Sequence, residues 1–281
     1  MKHPAGAFNP KLPDASPNIP KHSLLHEFVA LLMGLSLILV LLYVVLGLLI
    51  DFAVARIPPQ REQTLFSQWM PELDRSKQSA AERELQRVVD AMQQRTGIVD
   101  IPLRVLIIDH AQPNAFALPG GSIGVTSGLV TGAGSENEVA MVLGHEIGHF
   151  VLRHHLRGLG RGLVVVLLSS TILGIEPQGQ GLFGLPLVLA SSRYSREQES
   201  AADEVGLRLL NALYGHVGGA LDFFERMKSE DPTLVGAELF RSHPLSVERV
   251  KALAEYARAQ AYAAREDRVP LSASLQDLVL H

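Results

Sequence analysis

The chain has 281 residues, of which 47% are hydrophobic and only 19% are charged, and it contains no cysteine. In soluble domains about a quarter of all residues are usually charged, so this composition predicts contact with a membrane. The formal net charge of −4 offers no basic surface, and we therefore expect no nucleic-acid partner. Without cysteine, disulfides are excluded, and any metal site has to use histidine and carboxylate ligands.

The amino-terminal part of the sequence predicts a mobile arm followed by a membrane anchor. Residues 1–23 contain five of the 16 prolines, and residues 28–50 form a run of 23 residues without a charge. As a helix this run would extend about 34 Å, enough to cross a hydrocarbon core of about 30 Å. We predict a transmembrane helix within residues 24–57, in contact with the lipid bilayer. The alternative is a signal peptide cleaved near Ala55, although signal peptides have shorter apolar regions.

The charges around this run give little information on its orientation. Three lysines precede it and three arginines follow it closely: Lys2, Lys11, Lys21, Arg56, Arg61 and Arg75. Counting the amino terminus as well, the positive-inside rule predicts a cytoplasmic amino terminus. We therefore predict a single-pass protein of a bacterial-type inner membrane with its folded domain on the extracytoplasmic side.

Residues 58–265 predict a mostly helical α+β domain with a small antiparallel sheet. Ser79 and Glu82 form a capping box for a helix that ends at Gly97. Runs rich in branched residues predict strands at Leu103–Asp109 and Ile123–Thr126. Further helices are predicted from Ser135 to about Arg157, from Ser195 to about Asn211 and from Ser246 to about Ala264.

Two apolar runs within residues 161–192 predict a helical hairpin. They are Leu163–Ile175 and Gly181–Ser192, and each is too short to cross a membrane alone. The hairpin either dips into the membrane or packs in the core of the domain. Residues 266–281 are expected to form a carboxy-terminal tail.

The predicted helix after Ser135 contains the sequence HEIGH at residues 145–149. His145 and His149 are one helical turn apart, so both imidazoles point the same way and can bind one ion. Glu146 borders the same face and can reach a metal-bound water as a general base. This pattern predicts one Zn²⁺ per chain. The alternative is a pair of histidines on an ordinary polar helix face.

A third ligand has to come from another element. The predicted helix after Ser195 offers Glu197, Glu199 and Asp203. Glu199 and Asp203 share a face, so one can coordinate the metal while the other accepts a hydrogen bond from a ligand histidine. Glu197 points elsewhere and is expected to be solvated.

Four segments together resemble the HtpX-like membrane zinc peptidases, a group that includes the CAAX prenyl proteases. They are NAFALPGGSIGVTSGLV at 114–130, HEIGH at 145–149, YSREQESAADEVG at 194–206 and SHPLSVERV at 242–250. The resemblance covers roughly residues 80–255. It implies a zincin-like metallopeptidase domain in which His145, His149 and Glu199 hold zinc, Glu146 is the catalytic base, and Asp203 supports a ligand from behind.

Two further features are assigned from residue chemistry. Asn114, Ala115, Phe116, Ala117 and Leu118 predict an exposed edge strand that could bind an extended peptide through its main chain, or else an ordinary core hairpin. His243 precedes a proline that restricts its backbone. It could stabilise an oxyanion, occupy the open zinc position and keep the enzyme latent, or lie on the surface.

These observations predict a membrane-anchored zinc endopeptidase that hydrolyses membrane-associated or misfolded proteins. The alternative is a zinc-loaded holdase or assembly factor that binds extended polypeptides without cleaving them. Glu146 argues against the alternative, because a binding protein has no need of a base beside its metal.

Overall fold

The computed structural model describes residues 23–66, 78–173, 194–222, 225, 243 and 246–280. The chain divides into two compact units, residues 1–45 and residues 46–281. The first unit contains most of helix α1 (Leu24–Val54), which is long and apolar enough to cross a membrane. Its large side chains are exposed, with Leu31 at 74%, which distinguishes α1 from the core helix of a soluble protein. The predicted arm lies outside the described residues, apart from Ser23.

The second unit is mostly helical and carries one small sheet, which confirms the predicted fold class. Its described elements, in chain order, are α2 (Pro59–Phe66), α3 (Ala80–Thr96), β1 (Arg104–Ile108), β2 (Ala115–Leu118), β3 (Ser122–Thr126), α4 (Ser127–Gly132), α5 (Glu136–Val151), α6 (His154–Leu173), α7 (Arg196–Tyr214), α8 (Val247–Ala259) and α9 (Ala273–Gln276). A short 3-10 helix, Asp277–Leu280, follows α9.

Local sequence signals set several helix ends. Ser79 and Ser195 cap α3 and α7 through complete capping boxes, and Gly97 and Gly215 end these helices in the left-handed conformation. The helix containing HEIGH is shorter than predicted, because α5 ends at Val151 and Arg153 has a φ of +62°. Residues other than glycine rarely adopt this left-handed backbone conformation. The backbone turns here, and a new helix, α6, begins.

The sheet has three strands in the order β1-β3-β2. β2 and β3 are antiparallel, whereas β1 and β3, the two strands for which an antiparallel sheet was predicted, are parallel, so the sheet is mixed. The prediction of a purely antiparallel sheet is wrong, because the chain between β1 and β3 makes the extra strand β2 instead of a direct hairpin. β2 is therefore an edge strand. The prediction that this edge is exposed is also wrong, since Ala115, Ala117 and Leu118 are buried.

The apolar run that begins at Leu163 lies within α6, at least as far as Leu173. Several of its side chains are exposed, including Leu163 at 45% and Leu167 at 60%. This exposure argues against a hairpin buried in the core. The second run, Gly181–Ser192, lies outside the described residues. At the carboxy terminus, the predicted tail packs on the domain, because Leu275 is fully buried in the main core.

Helices α5 and α7 pack with their backbones almost in contact. A Cβ atom added to Gly148 would lie 2.8 Å from the carbonyl oxygen of Ala202 and 2.9 Å from its Cα. A Cβ atom on Gly144 would lie 3.1 Å from the Cα of Gly206. Small residues at this crossing therefore allow side chains on the two helices to meet.

We expect Gly148→Ala to push α5 and α7 apart, because the added methyl group meets backbone atoms that cannot rotate away. The expected cost is about 1–3 kcal/mol of folding free energy, seen as a lower midpoint of thermal unfolding in detergent. Gly47→Ala is the control, since its added Cβ makes only an ordinary contact at 3.9 Å. Equal midpoints for the two variants would contradict the tight crossing.

Candidate metal centre

The crossing of α5 and α7 brings three of the predicted metal ligands together. Nε2 of His145 lies 3.0 Å from Nε2 of His149 on α5. From α7, Oε1 of Glu199 lies 3.3 Å from Nε2 of His149, and Oε2 lies 3.6 Å from Nε2 of His145. All three side chains are buried. The structure thus places the predicted ligand atoms around one point.

His243 joins this group from a different part of the chain. Its Nδ1 lies 3.2 Å from Nε2 of His145 and 3.0 Å from Oε1 of Glu199. Donor atoms of the four residues all lie within 4.8 Å of one another. The surface position considered for His243 is wrong, because its side chain is buried.

The four residues fit a zinc ion. Bonds of about 2.0–2.2 Å to nitrogen and oxygen in a tetrahedron place the donor atoms about 3.3–3.6 Å apart, close to the distances of this cluster. The donors are imidazole nitrogens and a carboxylate, which are typical zinc ligands. Oε1 of Glu199 is directed at Nε2 of His149 and Nδ1 of His243, so a carboxylate oxygen faces the imidazoles where an ion would lie.

Asp203 lies behind the cluster and orients His145. Its Oδ1 lies 2.8 Å from Nδ1 of His145, so an Nδ1–H can donate to the carboxylate and leave the Nε2 lone pair facing the other ligands. Burial alone would raise the pKa of Asp203, but hydrogen bonds from Arg249 and His145 hold it below its usual value. The position of Asp203 agrees with the supporting role that the resemblance implied.

Arg249 of α8 connects Glu199 and Asp203, two of the acidic residues of α7. Its Nε donates to Oδ2 of Asp203 at 2.5 Å, its Nη2 donates to Oδ1 at 2.7 Å, and its Nη1 lies 2.5 Å from Oε2 of Glu199. The guanidinium is buried, which is rare for an arginine unless its charge is balanced. From the sequence, Arg249 in the SHPLSVERV segment could pair with a carboxylate near the site or lie on the helix surface, and the structure shows the pairing.

Glu146 faces both the metal cluster and strand β2. Its Oε2 accepts a hydrogen bond from the main-chain N–H of Ala117 at 2.8 Å. Its Oε1 is buried without a hydrogen bond among the described residues and lies 3.5 Å from Nε2 of His243. One oxygen is therefore held by the sheet, and the other is available for a proton.

The predicted substrate strand runs directly beside this carboxylate. The carbonyl of Asn114 accepts from Thr126 of β3, whereas the N–H of Ala117 donates to Glu146. Because main-chain groups alternate along a strand, Ala115 and Ala117 direct theirs away from β3. Phe116 is partly buried and packs with Leu118 in a small apolar cluster. The side of β2 that does not pair with β3 therefore faces Glu146, beside the metal centre.

The neighbouring charges fix the protonation of the cluster in the chain without metal. Burial holds the pKa of His149 well below its usual value, so this imidazole is neutral. Burial would also raise the pKa of Glu199, but the imidazoles of His243, His149 and His145 lower it strongly, so the carboxylate is ionised. Burial acts to lower the pKa of His243, yet the carboxylates of Glu146 and Glu199 raise it above its usual value.

Two aromatic neighbours of His149 were not predicted as site residues. The ring of Tyr194 stacks on His149 with centroids 3.9 Å apart. Nδ1 of His154 lies 3.0 Å from Nδ1 of His149, and burial lowers the pKa of His154 to about 4, so it is a neutral partner. Tyr194 opens the YSREQESAADEVG segment, which could have indicated it.

Comparison with known proteins agrees with this geometry. The family model described as Peptidase family M48 matches residues 79–257. Mitochondrial metalloendopeptidase OMA1 of Schizosaccharomyces pombe is 30% identical over 179 residues, covering 62% of this chain and 51% of that protein. Metalloprotease LoiP of Escherichia coli is 37% identical over 145 residues, covering 49% of this chain and 56% of LoiP.

A putative beta-barrel assembly-enhancing protease of Vibrio cholerae is 29% identical over 178 residues, covering 57% of this chain and 36% of that protein. The chain thus spans about half of the length of OMA1 and LoiP, and less of the Vibrio protein. The narrower resemblance to HtpX-like and CAAX prenyl proteases stays a prediction. Since the family model matches well over half of the chain and includes the metal centre, the chain belongs to peptidase family M48, whose metallopeptidases are zinc-dependent.

Proposed function

We propose that this protein is a membrane-anchored zinc endopeptidase. The observation that carries the proposal is the convergence of His145, His149 and Glu199 around one point, with a buried oxygen of Glu146 beside them. Membership of family M48 supports the same activity. A zinc-loaded holdase could use the same ligands, but it would have no use for the carboxylate of Glu146.

In this proposal His145, His149 and Glu199 hold the metal, and Asp203 and Arg249 fix the orientation of His145 and Glu199. When bound, zinc supplies a Lewis acid that polarises the scissile carbonyl and makes water easier to deprotonate. Glu146 accepts the proton of the attacking water on Oε1 and delivers it to the leaving amine. Ala117 holds the other oxygen of Glu146, so the base keeps its position during both transfers.

We assign the binding of the substrate main chain to β2. An extended polypeptide can add to the side of this strand that does not pair with β3, once the buried main-chain groups of Ala115 and the carbonyl of Ala117 are uncovered, while the N–H of Ala117 stays on Glu146. Such pairing depends little on side chains, which suits substrates with varied sequences. We therefore propose membrane-associated or misfolded polypeptides as the substrate class.

The exposed apolar side chains of α1 and α6 support membrane association. The numbers of nearby Lys and Arg residues on the two sides of α1 are equal. Only the positive charge of the terminal amino group favours a cytoplasmic amino terminus. We propose a single-pass protein of a bacterial-type inner membrane with an extracytoplasmic catalytic domain. A phosphatase that is active only outside the cytoplasm should then be active when it is fused after residue 60. If only a fusion partner that works in the cytoplasm is active there, the orientation is the reverse.

The geometry of His243 supports a role as a fourth metal donor that keeps the site latent. Its Nδ1 lies as close to His145 and Glu199 as a fourth corner of a tetrahedron would. A substrate carbonyl would then have to displace this imidazole. The other possibility is donation from His243 to the oxyanion of the substrate.

Replacing Glu146 with Gln separates the protease from the holdase. We expect Glu146→Gln to bind zinc in the same ratio as the wild type and to cleave casein at least about 100-fold more slowly, because the base is lost. Glu197→Gln is the control, since Glu197 is exposed on α7. Equal cleavage by Glu146→Gln would refute the assignment of the base, and a zinc-loaded wild type that does not cleave would favour the holdase.

Replacing His243 with Ala separates its two possible roles. A latent fourth donor predicts faster cleavage of a short peptide and an altered absorption spectrum of the cobalt-substituted protein. An oxyanion donor predicts a kcat lower by about 100-fold and an unchanged spectrum. The control is His216→Ala, which removes another buried histidine, one that is not part of the metal cluster and lies beside Tyr214. If activity and spectrum both match this control, His243 has no part in the site.

A further inference from the structure

Glu62 is a buried carboxylate that the sequence did not single out. It lies on α2, eight residues after the end of α1, and its side chain is fully inaccessible to solvent. A buried carboxylate is destabilising unless charges or hydrogen bonds compensate it. The partners of Glu62 therefore show which parts of the fold depend on it.

Three donors from two distant segments surround this carboxylate. Its Oε1 accepts from the main-chain N–H of Gly120 at 2.9 Å and lies 2.8 Å from Nε2 of His155. Its Oε2 pairs with the guanidinium of Arg153, which also donates to the carbonyl of Ile57 at 2.5 Å. Burial would raise the pKa of Glu62, but His155, Gly120 and Arg153 together hold it below its usual value, so the carboxylate is charged.

The two segments are the two sides of the proposed active site. Gly120 belongs to the turn that joins β2 to β3, directly after the strand assigned to substrate binding. Arg153 and His155 form the corner after α5, the helix that carries HEIGH. Nδ1 of His155 lies 3.3 Å from the carbonyl oxygen of His149, and its ring stacks on Phe150. Glu62 thus connects the turn after the edge strand with the end of the metal-binding helix.

Apolar contacts reinforce this connection. Phe66 at the end of α2 packs against a small cluster formed by Leu118 of β2 and Leu159 of α6. A Cβ atom on Gly120 would lie 3.3 Å from Cβ of Phe66, so the helix and the turn are in close contact. Gly120 has a φ of +85°, a conformation that glycine adopts without strain. The turn is therefore shaped to receive α2.

We propose that Glu62 is a positioning residue for catalysis, which holds strand β2 at the distance from α5 that an extended substrate needs. The inference rests on the proposed function of β2 in substrate binding. Glu62 touches neither the metal centre nor the substrate, and acts through Gly120, Arg153 and His155. Its consequence is that the segment directly after the membrane anchor is part of the catalytic framework.

The test compares Glu62→Gln with Glu136→Gln in the full-length protein in detergent micelles. Glu136 is a suitable control, because it is also buried, lies on α5, and pairs with Arg87 at 2.6 Å and Tyr214 at 2.8 Å, at the other end of the helix from HEIGH. For an extended fluorogenic peptide, we expect Glu62→Gln to raise KM about tenfold while kcat changes less than about threefold. Zinc content should stay at the wild-type ratio. Glu136→Gln should lower the unfolding midpoint and leave KM unchanged.

Arg153→Gly keeps the inference testable if Glu62→Gln fails to fold. This change removes the guanidinium from Glu62 but places glycine at a φ of +62°, which relieves the backbone. KM should again rise while zinc content stays constant. An unchanged KM in the folded variants, or a KM that rises equally in Glu136→Gln, would overturn the role of Glu62. A zinc-loaded wild type that cleaves no peptide would instead overturn the proposed function itself.

Discussion

Helices α5 and α7 meet where Gly148 of one helix faces the backbone of Ala202 in the other, with no side chain between them. This spacing allows a carboxylate on α7 to reach two imidazoles on α5. Wider packing would leave Glu199 too far from both histidines for a shared ion, whatever the sequence of the motif. The metal centre therefore depends on glycine at positions that carry no chemistry themselves.

The close packing also buries several carboxylates near one another, and a bound metal ion would reduce the repulsion between them. Glu146, Glu199 and Asp203 are buried together, and Arg249 is the buried cation that pairs with two of them. Among the residues that the structure describes, two of these negative charges then have no permanently cationic partner, and a divalent cation would match them. In the chain without metal, the raised pKa of His243 indicates that a proton supplies part of this charge. A proton on His243 and a divalent cation would both place positive charge beside Glu146 and Glu199, so we expect them to compete.

Local signals in the sequence predicted much of this arrangement. The one-turn spacing of His145 and His149 and the capping boxes at Ser79 and Ser195 depend on residues within one helix, and the helices formed where these signals lie. The parallel pairing of β1 with β3 was not predicted, because it depends on how the intervening chain folds. Nor was Glu62, because a single carboxylate in a polar stretch shows neither its burial nor its partners.

Arg249 is a second case in which the sequence does not show the partners of a buried charged residue. Its position in a segment of the resemblance was visible, but the pairing with Asp203 and Glu199 joins residues 46 and 50 positions apart in the chain. The free energy that keeps such a guanidinium buried comes from these distant carboxylates. Sequence periodicity reports which face of a helix is apolar, and it contains no information about such a partner.

The last residues of α1, from Leu46 onward, belong to the same compact unit as the metal centre and contact α6. Asp51 pairs with Arg161 at 2.7 Å, and Ile50 packs so closely on α6 that a Cβ atom at Gly160 would lie 2.6 Å from it. From Gly160 back to His154, the neighbour of His149, the distance along α6 is about 9 Å. The last residues of α1 thus contact the helix that follows HEIGH, while α2 contacts the turn after β2. Ile50 and Asp51 therefore contact the helix on one side of the metal centre, and Glu62 contacts the turn on the other side, so this short stretch of chain contributes to the packing of both.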